Sequence, residues 1–237
     1  MRTINKTIGL YTVGILISSI GAVASTTMAA TINAAVGGVP TGASIYENFD
    51  SLASTGGTTA NGISVTFSGP DAGVATLPNV SGIYAAPYIS NSNGTLFGNA
   101  QTNGQNETQY LTTGIGSVTL DLGDNHQYFG LLWGSVDNYN TLSFFDGTTL
   151  LFSFTGADVN TLANGDQGAD GTFYVNINSD TAFNRVIATS SQYAFEFDNV
   201  ALAEQPIEFP AEIPLPGTLP LLGIGLLMNG VIRRFVR

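Results

Sequence analysis

Short runs of alternating apolar and polar residues, separated by turn-forming residues, constrain the fold of this chain more than any other feature. Residues 117–122 (SVTLDL) alternate strictly, and residues 172–177 (TFYVNI) alternate in part. This period of two is typical of strands with one buried face, and no window of 11 residues or more shows a helical period. The pattern predicts an all-β domain over residues 31–203, folded as a single jelly-roll-like β-sandwich.

Further strands and turns follow the same pattern along the second half of the domain. Short apolar or alternating runs at 128–136, 141–145, 150–155 and 194–202 predict strands. Turns are predicted where Gly, Asn and Asp cluster, at 123–125, 137–138, 146–147 and 164–166. In the last strand, Asp198-Asn199 breaks the alternation and predicts a β-bulge.

The charge distribution narrows the possible functions of the domain. All 17 acidic residues lie between Glu47 and Glu212, and Arg185 is the one Lys or Arg of residues 31–212. The resulting net charge of −16 over that range excludes nucleic-acid binding through phosphates and favours the binding of cations. The chain contains no cysteine, which excludes disulfides and thiol catalysis.

The first 30 residues have the parts of a secretory signal peptide. Arg2 and Lys6 supply positive charge, and an apolar stretch follows them. Ala22-Val23-Ala24 and, later, Met28-Ala29-Ala30 offer cleavage sites with small residues. A permanent membrane anchor is the alternative, but the apolar stretch is short. Residues 1–30 are therefore predicted to be the signal helix of an exported protein.

The C-terminal end combines prolines, a short apolar run and arginines. A polar linker is predicted at 204–212, ahead of a segment 213–237 that contains a transmembrane helix at about 217–232 and a basic tail at 233–237. The proline-free run 221–232 is about 18 Å long as a helix, against a hydrocarbon core of roughly 30 Å. A weak span with a basic stop is typical of a sorting signal that an enzyme removes. An ordinary C-terminal anchor is the alternative.

This tail resembles the PEP-CTERM signal that exosortases of Gram-negative bacteria recognise. It has a Pro-x-Pro motif, an apolar segment with spaced Gly223 and Gly225, and terminal arginines, although Leu215 stands where the namesake pattern has glutamate. The residues 215–218 also approach a sortase motif, but Leu219 replaces the glycine at which a sortase cuts. The resemblance implies a sorting motif that consists of Pro214, Leu215, Pro216, Gly217, Thr218, Arg233 and Arg234.

The body of the chain is similar to a domain of exosortase-dependent surface proteins from cyanobacteria and proteobacteria. The similarity covers about residues 45–203 and rests on "SGIYAAPYIS", "YFGLLWGSVDNYNTLSFFDG", "NGDQGADGTFYVNIN" and "YAFEFDNVALA". It implies an exported protein of the outer cell surface or extracellular matrix, anchored transiently in the inner membrane until an exosortase-type enzyme processes it. What it implies is a location and not an activity.

An aromatic cluster between residues 128 and 145 contains the first candidate ligand surface. Phe129 and Phe144 lie in apolar runs and are expected in the core, and Trp133 is expected there rather than on a binding platform. Tyr139 differs, because it lies in a polar loop between two strands. Sugar-binding sites combine an exposed ring with amide and carboxylate partners, so the candidate ligand loop consists of Asp137, Asn138, Tyr139 and Asn140.

A second loop, "NGDQGADG", offers oxygen ligands of the kind that Ca²⁺ requires. Its candidate metal ligands are Asn164, Asp166 and Asp170. The spacing is not that of an EF-hand, since Gly168 occupies the third ligand position and Val175 replaces the closing glutamate. Ordinary turn chemistry explains the same residues. Because the domain carries a strong negative charge, we retain the hypothesis that it binds one Ca²⁺ as a cofactor.

Catalytic motifs are scarce in this sequence, and no enzymatic activity is predicted. His126, the one histidine, is expected to be exposed in a turn, and no nucleophile elbow, P-loop, dinucleotide fingerprint or zinc motif is present. Glu196 lies inside a strand, where its apolar neighbours predict an outward face. Two carboxylates suffice for a glycosidase, so a glycoside hydrolase stays the least favoured alternative.

Taken together, these features predict an exported surface or matrix protein that an exosortase sorts. Its domain would have a structural or adhesive role linked to exopolysaccharide or biofilm. The main alternative is a calcium-dependent carbohydrate-binding module. The predicted partners are the processing enzyme, an extracellular polysaccharide and, before processing, the membrane, but no nucleic acid.

Overall fold

The computed structural model describes residues 29–40 and 42–209, whose regular secondary structure is almost entirely β-strand. These ranges contain 13 strands, one helical turn α1 (Gly156–Val159) and two 3₁₀ turns, Thr95–Phe97 and Ala169–Gly171. The strands are β1 (Ala30–Ala35), β2 (Ile45–Glu47), β3 (Gly57–Thr58), β4 (Ser64–Ser68), β5 (Gly73–Ala75), β6 (Tyr88–Ile89), β7 (Gly104–Gln105), β8 (Tyr110–Thr112), β9 (Ser117–Gly134), β10 (Asn140–Asp146), β11 (Thr149–Thr155), β12 (Phe173–Ser190) and β13 (Glu196–Ala203).

Two long strands, β9 and β12, organise a single large antiparallel sheet of 11 described strands. They pair with each other twice, at 128–133 with 173–178 and at 117–121 with 185–189, with register shifts between the two regions. The first paired region, together with β1, β13, β2, β8 and β5, is called here the first half-sheet. The second paired region carries β10, β11, β4 and β3, and is called the second half-sheet.

The two half-sheets share one hydrophobic core. Phe129 of the first half-sheet contacts Phe144 of the second edge to face, with ring centroids 5.5 Å apart, and both side chains are fully buried. Trp133 is also fully buried and stacks on Phe195 at 4.1 Å. Burial of each such side chain contributes about 1.5–3 kcal/mol. The predicted all-β class and the core positions of these aromatic residues are confirmed, whereas the jelly-roll strand order stays a prediction.

The structure corrects the prediction of a turn at residues 123–125. Strand β9 runs without a break from Ser117 to Gly134, and His126 lies within it, opposite Phe183. His126 is buried rather than exposed, and burial lowers the pKa of its imidazole. The local preference of residues 123–125 for a turn is overridden here, because β12 continues alongside β9 on both sides of them, with register shifts in the pairing.

A layer of loops covers the outer face of the first half-sheet and forms a second, smaller core. Tyr128, Tyr174 and Leu132 of the sheet contribute to this core, together with Ile89 of the short strand β6 and Phe97 of a 3₁₀ turn in the covering layer. Backbone and amide groups of the loops also bond to side chains of the sheet. The amide N–H of Ala85 donates to Glu196 Oε1 (2.8 Å), Asn106 Nδ2 donates to Asp198 Oδ2 (2.7 Å), and Tyr88 N–H donates to Thr172 Oγ1 (3.0 Å).

Both ends of the described chain lie at the same end of the strands of the first half-sheet. Ala30 pairs with Ser179 in β1 and β12. On the same strand, Asn178 forms two hydrogen bonds with Ile207: Nδ2 donates to its carbonyl oxygen (2.6 Å), and its N–H donates to Oδ1 (3.0 Å). Ile207 and Phe209 pack against the second core, so the start of the predicted linker 204–212 is held on the domain.

The remaining predictions for the chain ends fall outside the described residues. These are the signal helix up to residue 28, the transmembrane segment at about 217–232 and the basic tail 233–237. Within residues 29–209, excluding residue 41, no helix has the length and apolar character needed to cross a membrane.

Candidate functional site

The predicted ligand loop connects β9 to β10 and divides between a pocket and the core. Asp137 and Tyr139 line a surface pocket, whereas Asn138 is exposed outside its lining. Asn140 is fully buried, and its Oδ1 accepts a hydrogen bond from Ser190 Oγ (2.8 Å). Two of the four predicted residues therefore reach the pocket, and Asn140 instead holds the start of β10 in place.

The tyrosine of this loop is fixed by its own hydroxyl group. Tyr139 Oη lies 2.5 Å from Asp137 Oδ2 and 2.9 Å from the carbonyl oxygen of Tyr193, and it donates to these acceptors. Burial raises the pKa of the Asp137 carboxyl group, and the bond from Tyr139 opposes this effect. Burial and the bond to Asp137 also raise the pKa of Tyr139. The Tyr139 ring is thereby held rigidly at the pocket wall.

The predicted metal loop contributes one of its three candidate ligands to the same pocket. Asn164 forms an isolated antiparallel bridge with Asp137 and lines the pocket beside it. Asp166 is turned back on its own loop, where Oδ1 accepts from Gly168 N–H (2.8 Å), and Asp170 is exposed in a 3₁₀ turn. In the described part of the chain, no group of three or more His, Cys, Asp or Glu side chains is arranged to hold a metal ion.

Gly165 allows the two loops to meet. Its φ is +71°, in the left-handed region, and its N–H donates to the Val136 carbonyl oxygen (3.1 Å). A Cβ atom at this position would lie about 2.5 Å from Asp137 Oδ2. Any side chain here would therefore be strained and would displace the Asp137 carboxylate.

Glu196 is the pocket residue whose role sequence reasoning missed. It opens β13 opposite Gly134 and faces away from the main core, as the alternation predicts, but it is only 2% exposed because the loop layer covers it. Oε1 accepts from Ala85 N–H, whereas Oε2 is buried without a hydrogen-bond partner among the described residues. The predicted outward face is therefore covered by loops. The signal available in the sequence was a pair of carboxylates, Glu196 and Asp198, that alternate with Phe195 and Phe197.

Burial controls the ionisation of this carboxyl group. Burial and, to a smaller extent, the nearby Asp137 carboxylate raise the pKa of Glu196 to about 8, although the hydrogen bond from the Ala85 N–H opposes the shift. Glu196 is therefore mainly protonated at neutral pH. Asp198, two residues along the strand and fully buried, also has a pKa raised well above its ordinary value, mainly by burial.

The completed pocket is small, polar and acidic. Its volume of about 170 Å³ is below the roughly 300–1,000 Å³ of sites for drug-sized ligands, so it suits a single sugar ring or a small polar group. Among the described residues, no Lys, Arg or His contributes to its lining. The lining residues are Gly82, Ile83, Tyr84, Ser135, Asp137, Tyr139, Asn164, Gly165, Gln167, Tyr193, Ala194 and Glu196.

The other predicted site residues do not contribute to this pocket. The sorting motif, Pro214 to Thr218 with Arg233 and Arg234, lies outside the described residues, and His126 is not part of the lining. Comparison with models of protein families, with curated proteins and with solved structures finds no match to this chain. The interpretation of the pocket therefore depends on its own chemistry.

Proposed function

We propose that this protein is exported, sorted to the cell surface by an exosortase-type enzyme, and binds a saccharide of the extracellular matrix in the pocket around Asp137 and Glu196. The convergence of two loops and one strand end on a small polar pocket is the observation that carries the binding function. The function is adhesive, with the domain joining the cell surface to exopolysaccharide in a biofilm. We propose that the pocket binds the saccharide and does not hydrolyse it.

Pocket chemistry supports a saccharide ligand. Asp137 and Asn164 place a carboxylate beside an amide, and Tyr84, Tyr139 and Tyr193 add aromatic rings. Saccharide hydroxyl groups pair with such acceptors and donors, and sugar C–H faces pack on rings. The calcium-dependent form of this function stays a narrower proposal, in which Asp137 and Asn164 would supply hard oxygen ligands.

The position of the chain ends agrees with attachment at the opposite end of the strands. In the first half-sheet, the pocket end includes Gly134, Phe173 and Glu196, whereas Ser179 and Ala203 lie towards the end where the chain enters and leaves. A protein held through its C-terminal segment would therefore present the pocket away from its attachment. In this proposal, the two terminal segments form the signal helix and the short transmembrane helix, and the domain keeps the jelly-roll order.

The sorting half of the proposal predicts a shortened chain. We expect the intact mass of the protein isolated from the cell surface to correspond to a C-terminus near Pro216 or Thr218, because the exosortase-type enzyme removes the apolar segment. Deleting that enzyme should restore a chain that extends to Arg237. A surface form that still ends at Arg237 in the presence of the enzyme would show that the segment is a permanent anchor.

The binding half predicts that one isosteric substitution strongly weakens retention on polysaccharide. Asp137→Asn keeps the shape of the side chain but removes its charge, and we expect at least about tenfold weaker retention of the mature protein on immobilised exopolysaccharide from the producing cells. Asp124→Asn, an exposed carboxylate in β9 outside the pocket, is the matched control and should bind normally. Equal retention of both variants and the wild type would refute binding at this pocket.

A further inference from the structure

We propose that the group selected by this pocket is a protonated primary amine, carried by a hexosamine residue of the polysaccharide. This inference rests on the saccharide-binding function proposed above and adds the charge of the ligand to it. It derives from the imbalance between acceptors, donors and charges in the pocket lining.

The pocket contains acidic groups without a basic partner. Asp137 and Glu196 both line it, and within the described ranges Arg185 is the one arginine or lysine. The Arg185 guanidinium is engaged elsewhere, since Nε donates to Asp121 Oδ1 at 2.6 Å. A buried carboxylate is costly without a cationic or hydrogen-bonding partner. A ligand that brings its own positive charge would supply that partner.

Unpaired acceptors at the pocket match the donors of an ammonium group. Glu196 Oε2 and Ser135 Oγ are buried and have no hydrogen-bond partner among the described residues. The Asp137 carboxylate lies in the same lining. A primary ammonium carries three N–H donors and no acceptor, so these three oxygen-bearing side chains offer it a full set of acceptors.

The tyrosines favour a cation over an anion. The Tyr139 hydroxyl group already donates within the pocket wall, to Asp137 Oδ2 and the Tyr193 carbonyl oxygen. The Tyr193 hydroxyl group already donates to Asp71 Oδ2 (2.6 Å). These hydroxyl groups therefore offer little to a carboxylate or phosphate ligand. Their rings line the pocket together with that of Tyr84, and aromatic rings attract a nearby cation.

Binding of an ammonium group should release a proton from Glu196. The groups around this carboxyl are the Ala85 N–H, the Asp137 carboxylate, and the hydroxyl groups of Tyr110 and Tyr139. None of these is cationic, and burial keeps Glu196 mainly protonated at pH 7. An ammonium favours the ionised form, so the affinity should increase with pH, by up to about tenfold per pH unit, while the amine itself stays protonated.

The test is a calorimetric titration of the mature protein at pH 5 and pH 6, where the amines of a glucosamine oligomer are protonated, with three probes. The probes are a β-1,4-linked glucosamine tetramer, its fully N-acetylated form, and lysine amide with an acetylated α-amine. We expect the glucosamine tetramer to bind at least about tenfold more tightly than the N-acetylated form, more tightly than the lysine probe, and more tightly at pH 6 than at pH 5. Titration in two buffers of different ionisation enthalpy should show proton release.

Substitutions assign the effect to the pocket. Glu196→Gln should abolish the preference for the free amine and the proton release, whereas the exposed Glu107→Gln should change neither. Thermal unfolding at pH 6 establishes that the variants are folded. If Glu196→Gln does not fold, Asp137→Asn serves in its place, with the same expected loss of the preference.

Each of the other outcomes overturns a defined part of the inference. Equal binding of the free and N-acetylated tetramers, unchanged by Glu196→Gln, would overturn amine selection and leave saccharide binding intact. A lysine probe that binds as tightly as the glucosamine tetramer would overturn the saccharide as the source of the amine. No binding of any probe would overturn the inference. If the wild-type protein is also not retained on native exopolysaccharide, the proposed function itself is overturned.

Discussion

A rise in pH from about 5 to 9 should lower the free energy of unfolding by several kcal/mol through Glu196 alone. Burial raises the pKa of this group from 4.5 to about 8, so the folded chain binds the proton more tightly than the unfolded chain. The resulting stabilisation is fully present below about pH 4.5 and is lost as the pH rises through about 8. At about 1.4 kcal/mol per pH unit, the whole effect amounts to about 5 kcal/mol.

Glu196→Gln should remove this part of the pH dependence. The amide is uncharged at every pH, so urea unfolding at pH 9 should find the variant several kcal/mol more stable than the wild type, whereas at pH 5 the two should be similar. Glu107→Gln controls for the loss of one negative charge from the domain. The raised pKa of Asp198 leaves a residual slope in both proteins. Parallel pH profiles for wild type and Glu196→Gln would contradict the burial of an ionisable carboxyl group at this position.

Trp133→Ala should destabilise the domain by about 3–5 kcal/mol. Trp133 is fully buried in the shared core, pairs with Phe173 and Phe197 on its neighbouring strands, and stacks on Phe195 at 4.1 Å. Truncation removes the buried surface and leaves a cavity between strands that cannot move together, since β9 is hydrogen-bonded on both sides. Ser135 of the pocket lining lies two residues further along the chain, so binding should weaken together with stability.

Trp133→Phe is the matched variant for this prediction. It keeps an aromatic ring against Phe195 and removes the Trp133 Nε1, which has no hydrogen-bond partner among the described residues. We expect Trp133→Phe to lower the free energy of unfolding by about half as much as Trp133→Ala does. Because the chain has one tryptophan, unfolding must be followed by far-UV circular dichroism rather than by tryptophan fluorescence. A cost below about 1 kcal/mol for Trp133→Ala would contradict its place in the core.

Local patterns were sufficient to predict much of the β-structure. Strands were predicted at 141–145 and 150–155 with a turn at 146–147, and these residues form the antiparallel pair β10–β11 with its turn at that place. The bulge predicted at Asp198-Asn199 is present as a register shift between Asp198 and Ala201, with Asn199 at a φ of +52°. Such features depend on a few neighbouring residues, so they can be predicted from the sequence alone.

Features that depend on distant segments could not be predicted in the same way. Residues 123–126 read as a turn, yet they extend β9 because β12 pairs on both sides of them. Glu196 has the predicted face, but a loop layer more than 100 residues earlier in the chain covers it, and Ala85 supplies its hydrogen bond. Alternation reports which side of a sheet a residue faces. It contains no information on what lies over that side.

The candidate site shows the same division between local and distant information. Asp137, Tyr139 and Asn164 were chosen separately, as members of two polar loops, and the structure brings them together through the bridge between Asp137 and Asn164. Asn140, Asp166 and Asp170 have the same residue chemistry but lie outside the pocket lining. Residue type selected the candidates, and only the path of the chain between them decided which ones meet.

The course of β13 has a mechanical consequence. This strand begins at the pocket with Glu196 and ends at Ala203, roughly 25 Å away, just before the segment that Asn178 and the second core hold. Under the proposed adhesive function, a pulling force between a bound polymer and the C-terminal segment would therefore run along β13. Its hydrogen bonds to β9, β2 and β8 lie across that direction, so the force would shear them together instead of opening them one by one. If the domain is adhesive, it would resist such a load through a strand that is paired on both sides.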